Sequence, residues 1–129
     1  MTPNEALAEL LDLSAQVRDV AILGESGFVL ASTGTVERGE QLARVAADLV
    51  AAATDVRPGA ELSRIEVSGE GAHVFLVTEA GRTAIATTTP DAIAGLVIYD
   101  LRTMLGRLDT APAPTRARKK KKEAETGDA

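Results

Sequence analysis

A chain of 129 residues has room for one domain and an appendage. Aromatic residues make up 2 % of it, with no tryptophan and no cysteine; this excludes a disulfide framework, thiol chemistry and cysteine-ligated zinc, and leaves few of the rings that stack single-stranded nucleic acid or wall small-ligand pockets. The net charge of −5 is split: residues 110–129 hold six basic and three acidic side chains, a net +3, so residues 1–109 carry −8 and repel phosphate backbones, which argues against nucleic acid as the main partner.

The chain opens on a helix. Thr2-Pro3-Asn4-Glu5 fits a capping box, in which the Thr2 hydroxyl accepts from the backbone at Glu5 and the Glu5 carboxylate reaches back, with Pro3 at the first helical position. Leu7, Leu10, Leu11 and Val17 face one way and Glu5, Glu9, Asp12 and Gln16 the other, a spacing that predicts a helix ending near Gln16. Residues 20–33 then place two β-prone runs around Gly24-Glu25-Ser26-Gly27, a turn in which either glycine can take positive φ, and so predict a hairpin. Thr33-Gly34-Thr35 breaks the second strand.

Residues 37–56 predict a second helix that is unusually apolar around its circumference. At about 100° per residue, Leu42, Val45, Leu49 and Val56 fall on one face with Ala46 and Ala53 beside them. A second stripe of small residues, Ala43, Ala47, Ala51 and Thr54, lies more than a quarter-turn away, and Glu37, Gln41, Arg44, Asp48 and Asp55 form a narrow polar strip. A surface helix ordinarily buries one stripe and wets the rest. This one has two apolar stripes, one for its own sheet and one for another surface. The second stripe has a plainer reading, since this chain uses alanine freely and alanine is the best helix former.

Arg57-Pro58-Gly59 ends the helix, and three strands follow. Leu62 to Val67 alternates, with Ile65 and Val67 opposite Arg64 and Glu66. Ser68-Gly69-Glu70-Gly71 turns into Ala72 to Val77, whose near-continuous apolar run predicts a strand covered on both faces. Glu79-Ala80-Gly81 turns into Arg82 to Thr88. Thr89 is the expected N-cap of a last helix opening at Pro90, with Ile93, Val97, Leu101, Met104, Leu105 and Leu108 as its buried face.

From Asp109 the periodicity stops, and residues 110–129, rich in Pro, Ala and charge, are expected to form a disordered polybasic tail to a domain of residues 1–109. Arg116, Arg118, Lys119, Lys120, Lys121 and Lys122 read either as a solubilising cluster or as a tether, including a weak contact with anionic membrane. No apolar run reaches the length of a membrane span and no basic-then-apolar leader opens the chain, so the expected location is the cytoplasm. The order α-ββ-α-βββ-α is that of an α+β domain with a five-stranded antiparallel sheet and helices on both faces.

No constellation for catalysis, cofactor or metal emerges. Gly24 to Gly27 lacks the spacing and the Lys-Ser/Thr of a phosphate-cradling loop. His73, the only histidine, has no cysteine or clustered carboxylate near it in sequence and reads as structural. Ser14, Ser26, Ser32, Ser63 and Ser68 sit in no nucleophile-elbow motif.

In element order and segment lengths, residues ~4 to 108 resemble the Roadblock/dynein light-chain family, whose fold is profilin-like or longin-like. Three stretches carry the resemblance: the hairpin Val20 to Ser32, the alanine-rich helix Glu37 to Val56, and the strand block Ile65 to Thr88 leading into Pro90. The resemblance implies a non-enzymatic homodimer or heterodimer in which two five-stranded sheets join edge to edge and the second helices pack antiparallel. Ala43, Ala47, Val50, Ala51, Thr54, Ile65 and Val67 would then form the dimer interface. It further implies a small Ras-like GTPase as partner, its hydrolysis or signalling modulated by positioning of the GTPase's own residues, or alternatively a scaffold subunit that does not read nucleotide state. Gln41, Arg44 and Asp48 are the candidate partner contacts; Arg44 and Asp48 otherwise read as an exposed ion pair one turn apart.

Overall fold

A computed structural model describes residues 1–109. Its elements run α1 (Pro3–Leu13), β1 (Val17–Leu23), β2 (Val29–Ser32), α2 (Val36–Val56), β3 (Arg64–Ser68), β4 (His73–Glu79), β5 (Arg82–Thr88) and α3 (Ala94–Gly106). The five strands make one antiparallel sheet in the order β2-β1-β5-β4-β3. This is the expected α+β architecture, with α1 and α3 on one face and α2 on the other. Among the described residues no helix is long and apolar enough to cross a membrane.

Strand alternation divides the core in two. Val20, Ile22, Phe75, Val77, Ala84 and Ala86 point to the first face, where Leu7, Leu10, Val97, Leu101 and Leu105 of α1 and α3 cover them. Ala21, Leu23, Leu76 and Ile85 point to the other, under Leu42 and Ala46 of α2. β4 is covered on both faces as its apolar run predicted, although it lies one strand in from the edge and β5 is the central strand.

The capping box at Thr2 forms as read from the sequence, with Glu5 N donating to Thr2 Oγ1 at 3.2 Å and Thr2 N to Glu5 Oε1 at 2.9 Å. The start of α1 is also tied to the end of α3. The Met1 ammonium donates to the Arg107 carbonyl at 2.9 Å and to Asp109 Oδ1 at 2.8 Å.

Three helical expectations are corrected. α1 ends at Leu13 rather than near Gln16, because Val17 begins β1 and fills the core from the sheet; Leu11 stays 40 % exposed. α3 begins at Ala94, not Pro90, and its N-cap Ile93 makes no side-chain cap and is 62 % exposed rather than part of the buried face. The backbone upstream is already committed: Thr89 N donates to the Gln16 carbonyl at 2.9 Å and His73 Nε2 to the Pro90 carbonyl at 2.9 Å. On α2, Leu42 is buried and Leu49 packs on the core, but Val45 is exposed and Val56, in the last turn, is 84 % exposed. The sheet lies under a narrower stripe than the sequence face suggested.

The β4–β5 connection is a two-residue turn with Ala80 at φ 53° and Gly81 at φ 78°. A left-handed alanine costs about 1–2 kcal/mol, partly offset by the greater unfolded freedom of glycine. Ala80→Gly is therefore expected to stabilise the domain by about 0.5–1 kcal/mol, read as a raised midpoint in thermal unfolding.

Candidate partner-binding face

The α2 side of the sheet is only partly covered. α2 contacts β2, β1 and β5, so the outer strands keep apolar side chains near solvent: Ile65 and Val74 are half-buried, and Val67 is 42 % exposed. Pairing of Ile65 with Leu76 and of Val67 with Val74 puts these residues on the α2 face. Arg64 and Glu66 point to the opposite face and lie 3.6 Å apart. β3 pairs only with β4, so its outer backbone edge is open among the described strands.

Alongside α2 runs an open groove of about 610 Å³. One wall is the small-residue stripe, with Ala43, Ala47, Val50 and Ala51; the other is Leu23, Thr83 and the β1–β2 turn from Gly24 to Gly27. Gly27, at φ 88°, closes that turn. Ala47 and Ala51 are exposed and Ala43 is half-buried against the core. Thus four of the seven candidate interface residues line one groove, Ile65 and Val67 stand apart on the edge strand, and Thr54 is exposed without lining the groove.

The candidate partner contacts separate. Arg44 lines the groove and forms no ion pair with Asp48 among the described residues, so the one-turn pair is not made. Asp48 is exposed. Gln41 is engaged, its Oε1 accepting from Arg38 Nη1 at 2.6 Å. Arg38 also donates through Nη2 to Asp19 Oδ2 at 3.0 Å, and Thr87 Oγ1 donates to the same oxygen at 3.2 Å. This network pins the first turns of α2 to β1 and β5. The sequence carries no local signal for it, because Asp19 and Thr87 are brought together only by strand pairing. The groove's far wall has no local signal for the same reason: Gly24 to Gly27 has the residues of a turn, but only strand pairing makes it the neighbour of Ala47.

His73 sets its ring edge-on to Phe75, with centroids 6.2 Å apart, and its Nε2 donates to the Pro90 carbonyl. Among the described residues no group of three or more His, Cys, Asp or Glu side chains could hold a metal ion. The tail candidates, Arg116, Arg118 and Lys119 to Lys122, lie outside the described residues.

A five-stranded antiparallel sheet thus lies between α2 and the α1–α3 pair, with an open groove beside α2 and, among the described strands, a free edge at β3. The chain belongs to the Roadblock/LC7 domain family, whose model matches residues 3–98. Among solved structures it is similar to a Roadblock/LC7 domain from Streptomyces avermitilis, at 19 % identity and a TM-score of 0.69 over 84 % of this chain and 99 % of that one. It is similar to the gliding protein MglB from Thermus thermophilus, at 21 % identity and a TM-score of 0.64 over 80 % and 82 % of the two chains. LokiProfilin2, in its complex with rabbit actin, shares the fold at 14 % identity and a TM-score of 0.57 over 81 % and 92 %. No curated protein matches significantly.

Proposed function

We propose that this chain is a non-catalytic dimeric regulator that binds a small Ras-like GTPase and modulates its GTP hydrolysis or signalling. One observation carries the reading: the small-residue stripe of α2 and the apolar, unpaired edge strand β3 lie on the same side of the sheet. A second copy that continued the sheet from β3 would bring its own α2 over this side. Alanines contribute about one methyl each, so they bind through close approach and length of contact. Ala43, Ala47, Val50 and Ala51 allow that approach, and Ile65 and Val67 extend the contact along the edge. Family membership supports the same arrangement, and it supports a GTPase as the partner.

The partner contacts follow from what the dimer leaves in water. Arg44 and Asp48, free of each other, are available to an incoming surface, while Gln41 is held through Arg38 to the sheet. These residues would orient the GTPase's own catalytic groups.

The test is nucleotide dependence. A Ras-like GTPase from the source cell, loaded with a non-hydrolysable GTP analogue or with GDP, is expected to bind the immobilised chain at least tenfold more tightly in the GTP form, a difference of about 1.4 kcal/mol. Its hydrolysis rate is expected to change on mixing. Equal affinity for both forms with no change in rate would sink the regulatory reading and favour a scaffold subunit blind to nucleotide.

A further inference from the structure

The open edge of β3 has a fixed backbone phase. At the two ends of its ladder with β4, Thr78 N donates to the Ser63 carbonyl at 3.0 Å and Gly69 N to the Ala72 carbonyl at 2.9 Å. Between them the pairing is regular, from Arg64 opposite Val77 to Ser68 opposite His73. In an antiparallel ladder the residues that bond to one neighbour alternate along the strand. Ile65 and Val67 therefore turn their N–H and C=O toward β4, as Ser63 and Gly69 do. Arg64, Glu66 and Ser68 turn theirs to the open edge.

A second copy adding its own β3 antiparallel to this edge can bond only through those same residues. The symmetry axis must then pass at a residue of the strand. A slip of one residue sets outward-bonding residues against inward-bonding ones and opposes the apolar face to the charged face. Few registers are left. An axis at Arg64 or at Glu66 sets that charge against its own copy, and like charges directly opposite are destabilising. An axis at Val67 sets Ile65 against Gly69 and carries Arg64 past the end of the partner's β3. An axis at Ile65 sets Arg64 against Glu66 on both sides of it. Ile65 then meets its own copy in a non-hydrogen-bonded pair, where facing side chains come closest, and it is already half-buried against the α2-side core. On the opposite face Arg64 and Glu66 are exposed and 3.6 Å apart within one chain, so they can be shared across the axis.

We propose that β3 pairs with β3 of a second copy about a two-fold axis at Ile65, and that Arg64 and Glu66 select both this register and a like partner. The inference rests on the self-association proposed above and gives it a register. Read in reverse, Arg64-Ile65-Glu66 is its own charge complement. The edge therefore fits another copy of this chain better than a strand bearing charges of one sign.

The chain has no cysteine, so single-cysteine variants of the full chain report the register under mild oxidation. A non-hydrogen-bonded antiparallel pair holds its Cα atoms about 4.5 Å apart, within disulfide range, whereas a separation above about 7 Å is not bridged. Ile65→Cys is expected to cross-link into a covalent dimer. Glu66→Cys and Val67→Cys, set about 8 Å or more from their own copies by the strand rise and spacing, are expected to stay free. Charge exchange checks the pair without cysteine. Arg64→Glu and Glu66→Arg should each weaken the dimer at least tenfold in analytical ultracentrifugation. The double variant, and a mixture of the two single variants, should each recover it. Cross-linking through Glu66→Cys or Val67→Cys, no cross-link by Ile65→Cys in a chain of dimer mass, or a double variant as weak as the singles would each overturn the register and leave the dimer standing. A wild-type chain of monomer mass would remove dimer and register together.

Discussion

Ala47→Glu is expected to convert a dimer of this chain into a monomer, with dimer affinity falling by more than about a hundredfold. Ala47 is exposed in the single chain, on the wall of the groove beside Ala43, Val50 and Ala51. Glutamate is a good helix former, so the isolated domain should lose almost nothing. Against a second helix the same carboxylate would be taken out of water in a wall of alanines, where Arg44, three residues earlier and lining the same groove, is the one basic side chain at hand. Desolvating a charge costs several kcal/mol even where a partner answers part of it, more than the roughly 2.7 kcal/mol that a hundredfold change requires. Light scattering checks the mass, and thermal unfolding checks that the fold persists. Val67→Lys, a charge on the open edge of β3, should act in the same direction without touching α2. A wild-type chain of monomer mass, or an Ala47→Glu chain of unchanged dimer mass, would end the account of α2 as an interface.

What the sequence makes legible here is what local chemistry dictates. Thr2 and Glu5 specify a cap within four residues, and that cap forms as read. Arg82 to Thr88 is bounded by a turn and by Pro90, and β5 has those limits. The alanine stripe on α2 is a matter of helical period and lines one wall as the period requires. Legibility fails where a distant segment decides. Thr89 has the chemistry of an N-cap, but its Oγ1 is buried without a hydrogen-bond partner and the helix begins only at Ala94. Val17 has helical spacing from Leu10, yet pairing with Thr88 makes it the first residue of β1. Arg44 and Asp48 have the spacing of a pair, but Arg44 lies in the groove. The opposite wall, from Leu23 to Gly27 with Thr83, exists only because β1 and β5 are neighbours.

Gly39 shows how such a long-range constraint hides in a residue that local rules would replace. An exposed glycine inside a helix costs about 1 kcal/mol relative to alanine, so Gly39→Ala looks stabilising by propensity. Gly39 is buried where α2 crosses β2, and a Cβ built there would lie 2.4 Å from Ser32 Oγ and 2.9 Å from Ser32 Cβ. The Cβ is fixed to the strand backbone, so relief requires α2 to lift away from β2. Overpacking of this kind costs about 1–3 kcal/mol, and a net loss of about 1–2 kcal/mol is expected after the propensity gain. The contrast lies at Gly95 in α3, where an added Cβ meets nothing within 4 Å; Gly95→Ala should stabilise by about 0.5–1 kcal/mol. Thermal unfolding of the two variants is thus expected to shift in opposite directions, by several degrees for each kcal/mol in a domain of this size. Ser32→Gly, which removes the obstructing Cβ, should recover much of the loss in the double variant. Because α2 also carries Ala43, Ala47 and Ala51, lifting its first half tilts one wall of the groove. Gly39→Ala should therefore weaken partner binding although it touches no partner, and Ser32→Gly should restore stability and binding together. Recovery of stability without recovery of binding would show that the groove's shape is not set by this crossing.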